Sequence, residues 1–414
     1  MALTRRLRKG FQPALNKTVG ACSSAPKKWD TAHPERLTRV LPRLTCGGYR
    51  ADDSLMSLDT SPSASFAVIP MRRVGPVHLA GPEVTGRFEV PLATFESPLW
   101  PSVARGARVT AEAGGIRVVI ADDRMTRSIL LEAPDAVEAV AAWRMAMDRK
   151  ADLAEAVKQT SRFARLVDLH GQVVGSLFFL RLEMTTGDAA GHNMVTQAAD
   201  RVLDWFATEM PRLRYVSISG NLCADKKVSS VNGLLGRGKY AVAEVVIPGD
   251  LCRKLLRTTP EAIAALNVKK NLIGSILSGG VRSANAHTAN MLLAFYLATG
   301  QDAANIVEGS QSLTHAEARG DGLAFSCTVP NLIVGTVGNG KEAAFVQDNL
   351  QQLGCLESRP PGANARRLAA ICAATVLCGE LSLLAAQTHP GELMRAHRAL
   401  ERGTPSDPDV DSQP

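Results

Sequence analysis

The chain is poor in aromatic residues: Phe, Trp and Tyr make up 5% of its 414 positions. A protein that grips nucleic acid by stacking needs aromatics interleaved with basic residues on one folded face. No such stretch occurs, so nucleic acid is not an expected partner. Eight cysteines are present and none forms a C-x-x-C pair. Several sit in apolar runs and read as reduced packing residues, not as a disulfide frame or a zinc site; no metal is expected. The dinucleotide fingerprint G-x-G-x-x-G and the Walker A loop are both missing. No internal repeat and no secretory signal is visible.

What is present is a large apolar content, 45%, enough to bury the core of two or three structural units. The net charge of +7 is uneven. Residues 1–50 hold eleven Lys or Arg against two acids, a local +9 that leaves −2 for the remainder. The basic character therefore belongs to an N-terminal arm, residues 1–66, whose acid-poor opening also fits an organellar transit segment. The Pro/Asp/Ser-rich tail at 404–414 is predicted to be disordered. Leu368 to Ala386 is long and apolar enough to imitate a membrane span, but Glu380 lies inside it and Gly and Cys interrupt it. A buried core helix is the expectation, and with it a cytoplasmic protein without a membrane anchor.

Alternation predicts strands at Arg87–Pro91 and Arg117–Ala121. A helix is expected over Ser97–Arg108. Val137, Val140, Trp143, Met147 and Leu153 recur at helical spacing and predict an amphipathic helix within 135–166. Strands within Leu166–Met184, a helix at Asn193–Met210 and a strand at Arg214–Ile218 follow, an inset of α/β character. Helices are expected at Pro260–Ala265, Ala286–Thr299, Glu342–Leu353 and Ala363–Gln387.

Several constellations are candidates for chemistry. Ser219 to Lys227 places Asp225, Lys226 and Lys227 on a loop between a strand and a short helix. Read alone, this is a solvated turn. Gly187-Asp188-Ala189-Ala190-Gly191 leads into a helix start, where bare amides favour anions and glycines admit a close ligand; an ordinary capped turn is the alternative. Gly335 to Gly340 follows an apolar segment and leaves the backbone equally bare. Glu96 stands between a strand and a helix, as a helix-start acid or a general acid. His287 and Asn290 share a helical face, with Asp302 just beyond. His397 lies among arginines, suited to an anionic ligand and to proton donation.

In order, these segments resemble the catalytic domain of the hydroxymethylglutaryl-CoA (HMG-CoA) reductase family. The likeness runs from about Val68 to Arg402. It includes Pro76 to Pro82, Val90 to Glu96, Met125-Thr126-Arg127, Ser161 to Leu166, Gly187 to Gly191 and Ser219 to Lys227. It continues through Gly236 to Lys239, Lys270 to Gly274, Gly300 to Asn305 and Gly335 to Gly338. The Asp-Lys-Lys form of the loop resembles the family's class I members, which generally use NADPH.

The resemblance implies an NADPH-dependent enzyme that reduces HMG-CoA to mevalonate and CoA by two successive hydride transfers. Lys226 would meet the oxyanion, Glu96 would donate a proton, Asp302 would link the two, and His397 would protonate the departing thiolate. Arg127, Ser219, Asp225, Lys227 and Lys270 would bind the substrate carboxylate. Asn290 would hold the lysine and substrate, with His287 grouped beside it. Asp188, Gly191, Asn193, Gly335 and Gly338 would hold the nucleotide, with Arg162 and Arg402 near its adenosine phosphate.

The implied fold is α+β. A large substrate domain, 67–129 and 228–403, surrounds a long central helix. An inserted ferredoxin-like NADP-binding domain spans 130–218, and 219–227 is the catalytic connecting loop. The family's site lies between subunits, which implies a homodimer or homotetramer. There are departures. No Glu-Asn pair stands at Ser65–Val68. Ala190 and His192 replace usual methionines, and Gly280 and Arg282 break a Gly/Ser pattern. Leu400 replaces a second histidine, and Gly403 replaces a regulatory serine. They leave open a reductase of another branched acyl-CoA, or a non-catalytic acyl-CoA or nucleotide-binding relative.

Overall fold

From Ala363 to Gln387 the chain runs as one helix of 25 residues, buried on nearly every face from Leu368 to Ala386. The computed structural model describes residues 67–395. The basic arm at 1–66, the tail at 404–414, and with them His397, Leu400, Arg402 and Gly403, lie outside the described residues. Among those described, this is the one helix long and apolar enough to cross a membrane, and 94% of its most apolar window is buried inside the protein. It is apolar all round because protein surrounds it.

In chain order, the first half contains β1 (Met71–Ala80), β2 (Thr85–Ala93), α1 (Leu99–Glu112), β3 (Arg117–Glu132), α2 (Ala136–Asp148), α3 (Lys150–Lys158), β4 (Arg165–Val174), β5 (Leu177–Thr185), α4 (His192–Glu209) and β6 (Arg214–Ile218). The second half contains α5 (Ser230–Leu235), β7 (Gly238–Ile247), α6 (Gly249–Leu251), α7 (Pro260–Leu266), α8 (Ser275–Leu277), α9 (Thr288–Ala298), α10 (Ile306–Gly309), β8 (Leu313–Arg319), β9 (Gly322–Leu332), α11 (Ala344–Gln352) and α12 (Ala363–Gln387). Wider π-helical turns at Cys252–Leu256 and Asn267–Gly274 interrupt the second half. The class is a mixture of helix and sheet, as expected.

β1 and β2 form an antiparallel ribbon. The remaining strands run β4-β5-β3-β7-β9-β8, with β6 also paired to β3. β3 is common to two hydrogen-bonded regions. Arg117–Arg124 pairs with β7, whereas Met125–Glu132 pairs with β5 and its last residues with β6. Two apolar cores follow this division. The larger gathers α1, α9, α12 and β7–β9. The smaller gathers Met125, Ile129, Phe178, Leu182, Val202 and Phe206, with Ile333 reaching into it. No linker separates them at residue 130; the strand crosses that position unbroken.

Two packing details fix the long helix. α1 approaches so closely at Gly106 that a Cβ there would lie 2.0 Å from the Cys378 carbonyl oxygen. Glu380, fully buried, accepts hydrogen bonds from the Ala286 and His287 amides at 2.7 Å each and from the Thr314 hydroxyl at 3.0 Å. The acid inside the apolar run therefore holds the start of α9.

The expected amphipathic face within 135–166 is rotated. Val137 is 78% exposed and Trp143 38%, while Ala139, Ala142 and Ala146 are fully buried. The helix is also split at Arg149, and β4 begins at Arg165. The small side chains let α2 lie close to the sheet; Trp143 covers Gly171, where a Cβ would meet its ring at 2.3 Å.

Candidate active site

The loop Ser219 to Ser229 follows β6 and is held from within. Ser219 Oγ lies 3.3 Å from Ser128 Oγ and 3.0 Å from Cys223 Sγ, and it accepts from the Asn221 amide at 2.9 Å. Burial opposes ionisation of the Cys223 thiol, but hydrogen bonds from Ser128 and Ser219 and the charges of Arg237 and Arg127 outweigh it and lower its pKa. Asn221, Ala224 and Lys226 have φ of 60°, 46° and 53°. Three non-glycine residues in the left-handed region mark a strained loop, a conformation kept only where its surroundings impose it.

That backbone sends the Lys226 side chain into a cleft of about 560 Å³, where its Nζ lies 2.6 Å from Asp302 Oδ2. Burial works against Asp302, but the Lys226 hydrogen bond and the Ala304 amide together keep its carboxyl below the ordinary range. Asp225, beside it, is paired with the buried Arg237 guanidinium and lies 3.4 Å from Arg127. The opposite wall is the start of α4. Gly191 precedes the helix with φ of 94°, no side chain caps it and its first turn holds no acid. Its leading amides therefore remain donors for an anion. Gly191, Asn193 and Gly338 all line the cleft. Gly335 does not reach it. It supports the loop from behind, where a Cβ would lie 2.3 Å from the Ala190 amide nitrogen.

Asp188 is occupied elsewhere. Its two carboxylate oxygens accept from the Gly362 and Ala365 amides at 3.0 and 2.9 Å, capping α12. The expected nucleotide acid thus anchors its loop to the long helix. Arg162 also stands outside the cleft, its guanidinium 4.8 Å above the Phe163 ring. Lys227 is exposed, donating to its neighbour's carbonyl, Asp225 O, at 3.2 Å. Lys270 sits half-buried in the second π-helical turn, donating to Asn271 at 3.3 Å; burial lowers its pKa, with Glu380 opposing.

Glu96 lies in a different place. With His287 and Asn290 it lines a cavity of about 380 Å³ walled by α1 and α12, including Leu99, Leu383 and Ala386. Asn290 Nδ2 donates to Glu96 Oε2 at 2.8 Å, and His287 Nε2 lies 2.9 Å from the Gly379 carbonyl. Asn290 was expected beside the lysine and Asp302 as the link to Glu96. In this chain Asn290 holds the glutamate and Asp302 holds the lysine. Among the described residues, the two cavities share no lining residue.

Other residues of the cleft and of its underside have no role that the sequence alone assigns. Lys341 lines the cleft and donates to the Gly300 carbonyl, and burial pushes its amine down to about 8. His192 Nε2 sits 3.8 Å from Asp225, and burial lowers its pKa despite that carboxylate. Arg237, Glu308 and Gln311 hold the loop from beneath. Of these, the sequence marks His192 as a departure and Arg237 only as part of the Gly236 to Lys239 motif.

Comparisons with known proteins agree with the motif order. The model of the family "Hydroxymethylglutaryl-coenzyme A reductase" matches residues 64–402. The 3-hydroxy-3-methylglutaryl-coenzyme A reductase of Aeropyrum pernix is 44% identical over 340 residues, 81% of this chain and 80% of that protein. That of Pyrococcus abyssi is 44% identical over 339 residues, 81% of this chain and 82% of that protein. Among solved structures, a class II 3-hydroxy-3-methylglutaryl-CoA reductase from Streptococcus pneumoniae, bound to NADPH in open conformations, superposes with a TM-score of 0.64 at 18% identity, covering 80% of this chain and 88% of that one. That last likeness is one of fold. The family match and the two archaeal relatives, spanning most of both chains, carry the assignment: the chain belongs to the hydroxymethylglutaryl-coenzyme A reductase family.

Proposed function

We propose that the Lys226 cleft reduces the thioester of HMG-CoA to mevalonate and CoA with NADPH. The observation that carries the reading is the Lys226 ammonium, fixed 2.6 Å from Asp302, in the same cleft as the bare start of α4. A cation for a developing oxyanion faces donors for a phosphate. The uncapped helix start and Lys341 fit an anionic nucleotide, with Gly191, Asn193 and Gly338 leaving room for it. NADPH supplies a hydride to the thioester carbonyl in the first reduction and to the aldehyde carbonyl in the second.

The chain's own residues manage charge and protons. Lys226 donates to the carbonyl oxygen as negative charge builds there, a preorganised contact that is strongest in the transition state. Asp302 keeps the ammonium aimed. Glu96, held by Asn290, gives the oxygen its proton. Between the two reductions CoA leaves as its thiol; by resemblance that proton belongs to His397, and Arg402 lies near the nucleotide phosphate. Arg127, Ser219, Asp225, Lys227 and Lys270 are the proposed partners of the substrate carboxylate.

From β3 to β6 the order is β-α-α-β-β-α-β, a β-α-β-β-α-β pattern whose first helix is split at Arg149; with strand order β4-β5-β3-β6 it supports reading 130–218 as the ferredoxin-like NADP-binding inset, and 67–129 with 228–403 as the substrate domain round α12. The working unit in this reading is a homodimer or a homotetramer. Glu96 and Lys226 open into separate cavities of one chain, so a site using both takes one from each copy. An exposed apolar band supports the pairing: Ile273, Ile276 and Leu277 are 49%, 76% and 83% exposed. The expected cytoplasmic location belongs to the same proposal, supported by the burial of α12. The test is NADPH oxidation by purified protein with HMG-CoA present, with mevalonate identified as product. Absence of turnover defeats the reading, and turnover confined to another acyl-CoA defeats the substrate assignment.

A further inference from the structure

Only Asp302 of the turn 302–311 was read from the sequence as functional, yet that turn grips the catalytic loop at several points. Asp302 takes the Lys226 ammonium, and Glu308 Oε1 accepts from the Lys226 backbone amide at 3.2 Å. Gln311 accepts from the Ser229 amide at 3.3 Å and donates to the Ser229 carbonyl at 3.1 Å. Glu308 is fully buried. The same Oε1 accepts from Arg237 Nε at 3.2 Å and from Asn305 Nδ2 at 3.0 Å. Arg237, also fully buried, donates to Thr126 O at 2.9 Å and Thr126 Oγ1 at 2.8 Å, and pairs with Asp225.

We propose that Glu308 is a positioning residue for the catalytic lysine: it fixes the Lys226 amide, and through Arg237 the neighbouring Asp225, so that the Lys226 side chain leaves the loop toward Asp302. The inference rests on the functional reading above for its catalytic consequence, though not for the contact itself. The geometry requires such a device. Lys226 has a left-handed backbone, from which an unrestrained lysine relaxes to the common right-handed or extended regions. Relaxation there swings Cβ, and with it the ammonium, away from the Asp302 carboxylate. A buried acceptor on the amide of that same residue opposes the swing, and a carboxylate acceptor does so more strongly than a neutral one. Burial pushes the Glu308 carboxyl up while Arg237 opposes it; Oε1 accepts from the amide in either protonation state.

Hydrogen exchange read by mass spectrometry at the Lys226 amide tests the contact without activity. Glu308→Ala is expected to speed exchange there about tenfold or more, and Glu308→Gln, which keeps an acceptor oxygen, to stay near the parent. Kinetics test the consequence. Glu308→Ala is expected to lower kcat about 100-fold with KM for the acyl thioester within about threefold, and Glu308→Gln to recover most of the loss. In a Lys226→Ala background, Glu308→Ala should change the residual kcat by less than about threefold, because the group it positions is gone. If Glu308→Ala does not fold, Glu308→Asp, which withdraws the carboxylate by one methylene, takes its place with the same expectations. Unchanged exchange at Lys226, or an equal loss of kcat in both backgrounds, overturns the proposal. Faster exchange in a protein whose parent form does not reduce HMG-CoA leaves the positioning contact standing and removes the functional reading instead.

Discussion

The Lys226 cleft and the Glu96 cavity are built in opposite ways. The cleft is made of loops: its cation and its carboxylate are about 40% exposed, and its lysine sits on a left-handed backbone. The Glu96 cavity is made of helices, with apolar walls from α1 and α12 and a glutamate held by one asparagine. The charged groups of the first are set by hydrogen bonds from beneath, through Glu308, Arg237 and Gln311. In the second, the buried Glu380 holds the start of α9 that carries His287 and Asn290, and Arg105 ties α1 to Ser382 of α12 and to Glu392. In the proposed mechanism, developing charge falls to a loop braced from beneath, and proton donation to a wall of packed helices.

This contrast is tested hardest at its two named residues. Lys226→Ala is expected to lower kcat about 1000-fold with a much smaller change in KM, measured as NADPH oxidation; a loss under about tenfold would move the oxyanion role out of the cleft. Glu96→Gln should cost about 100-fold. Mixing those two inactive variants tests whether the cavities meet between copies. Random exchange of dimers leaves one intact site in half of them, so about a quarter of the parent activity should return. No recovery would place both residues in one chain's site.

The smaller effects separate the regions further. Glu380→Gln sets an amide nitrogen against backbone donors and should cost about 2 kcal/mol in denaturant unfolding. It should raise KM for the acyl thioester, because it loosens the start of α9, while NADPH affinity stays constant. The mildest effect belongs to pH. Lys341 is a cation below about 8 and loses its proton above that, well before an ordinary lysine. KM for NADPH should therefore rise a few-fold as pH climbs from about 7 to about 9, and Lys341→Arg should flatten the rise, since a guanidinium stays charged. A flat profile in the parent protein would remove Lys341 from the nucleotide's surroundings.

The sequence was most legible where local pattern and burial agree. α12 begins and ends where its apolar run predicts, at Ala363 and Gln387, because protein covers every face and nothing competes with periodicity. In α2 side-chain size is no guide to burial: Ala139, Ala142 and Ala146 are fully buried, Val137 is exposed and Trp143 lies over Gly171. The sequence reading does not include β7, β8 or β9: β8 and β9 are a tight hairpin turning at Gly320 and Asp321, whereas β7, although Lys239 to Ile247 alternates well, has its partners β3 and β9 far along the chain. The same distance explains the site. Lys226, Asp302 and Glu96 stand in recognisable local motifs. Glu308 and Gln311 do not, and each reaches its partner across 82 positions. Arg237 lies in a quoted motif, but its role is visible only once Asp225 and Glu308 are seen on either side of it.

β3 has a mechanical consequence. A strand of 16 residues, bonded to β7 along its first half and to β5 and β6 along its second, is a shared beam and not a hinge. Neither apolar core can be completed before this one segment is in place, so the two halves are built around a common spar. If the half built on β5 and β6 holds the nucleotide as proposed, any rocking of it during turnover would load that spar in torsion near Arg124 and Met125, where the bonding partner changes. Such a half would be a sprung flap, its stiffness set by the ladders on either side of the change.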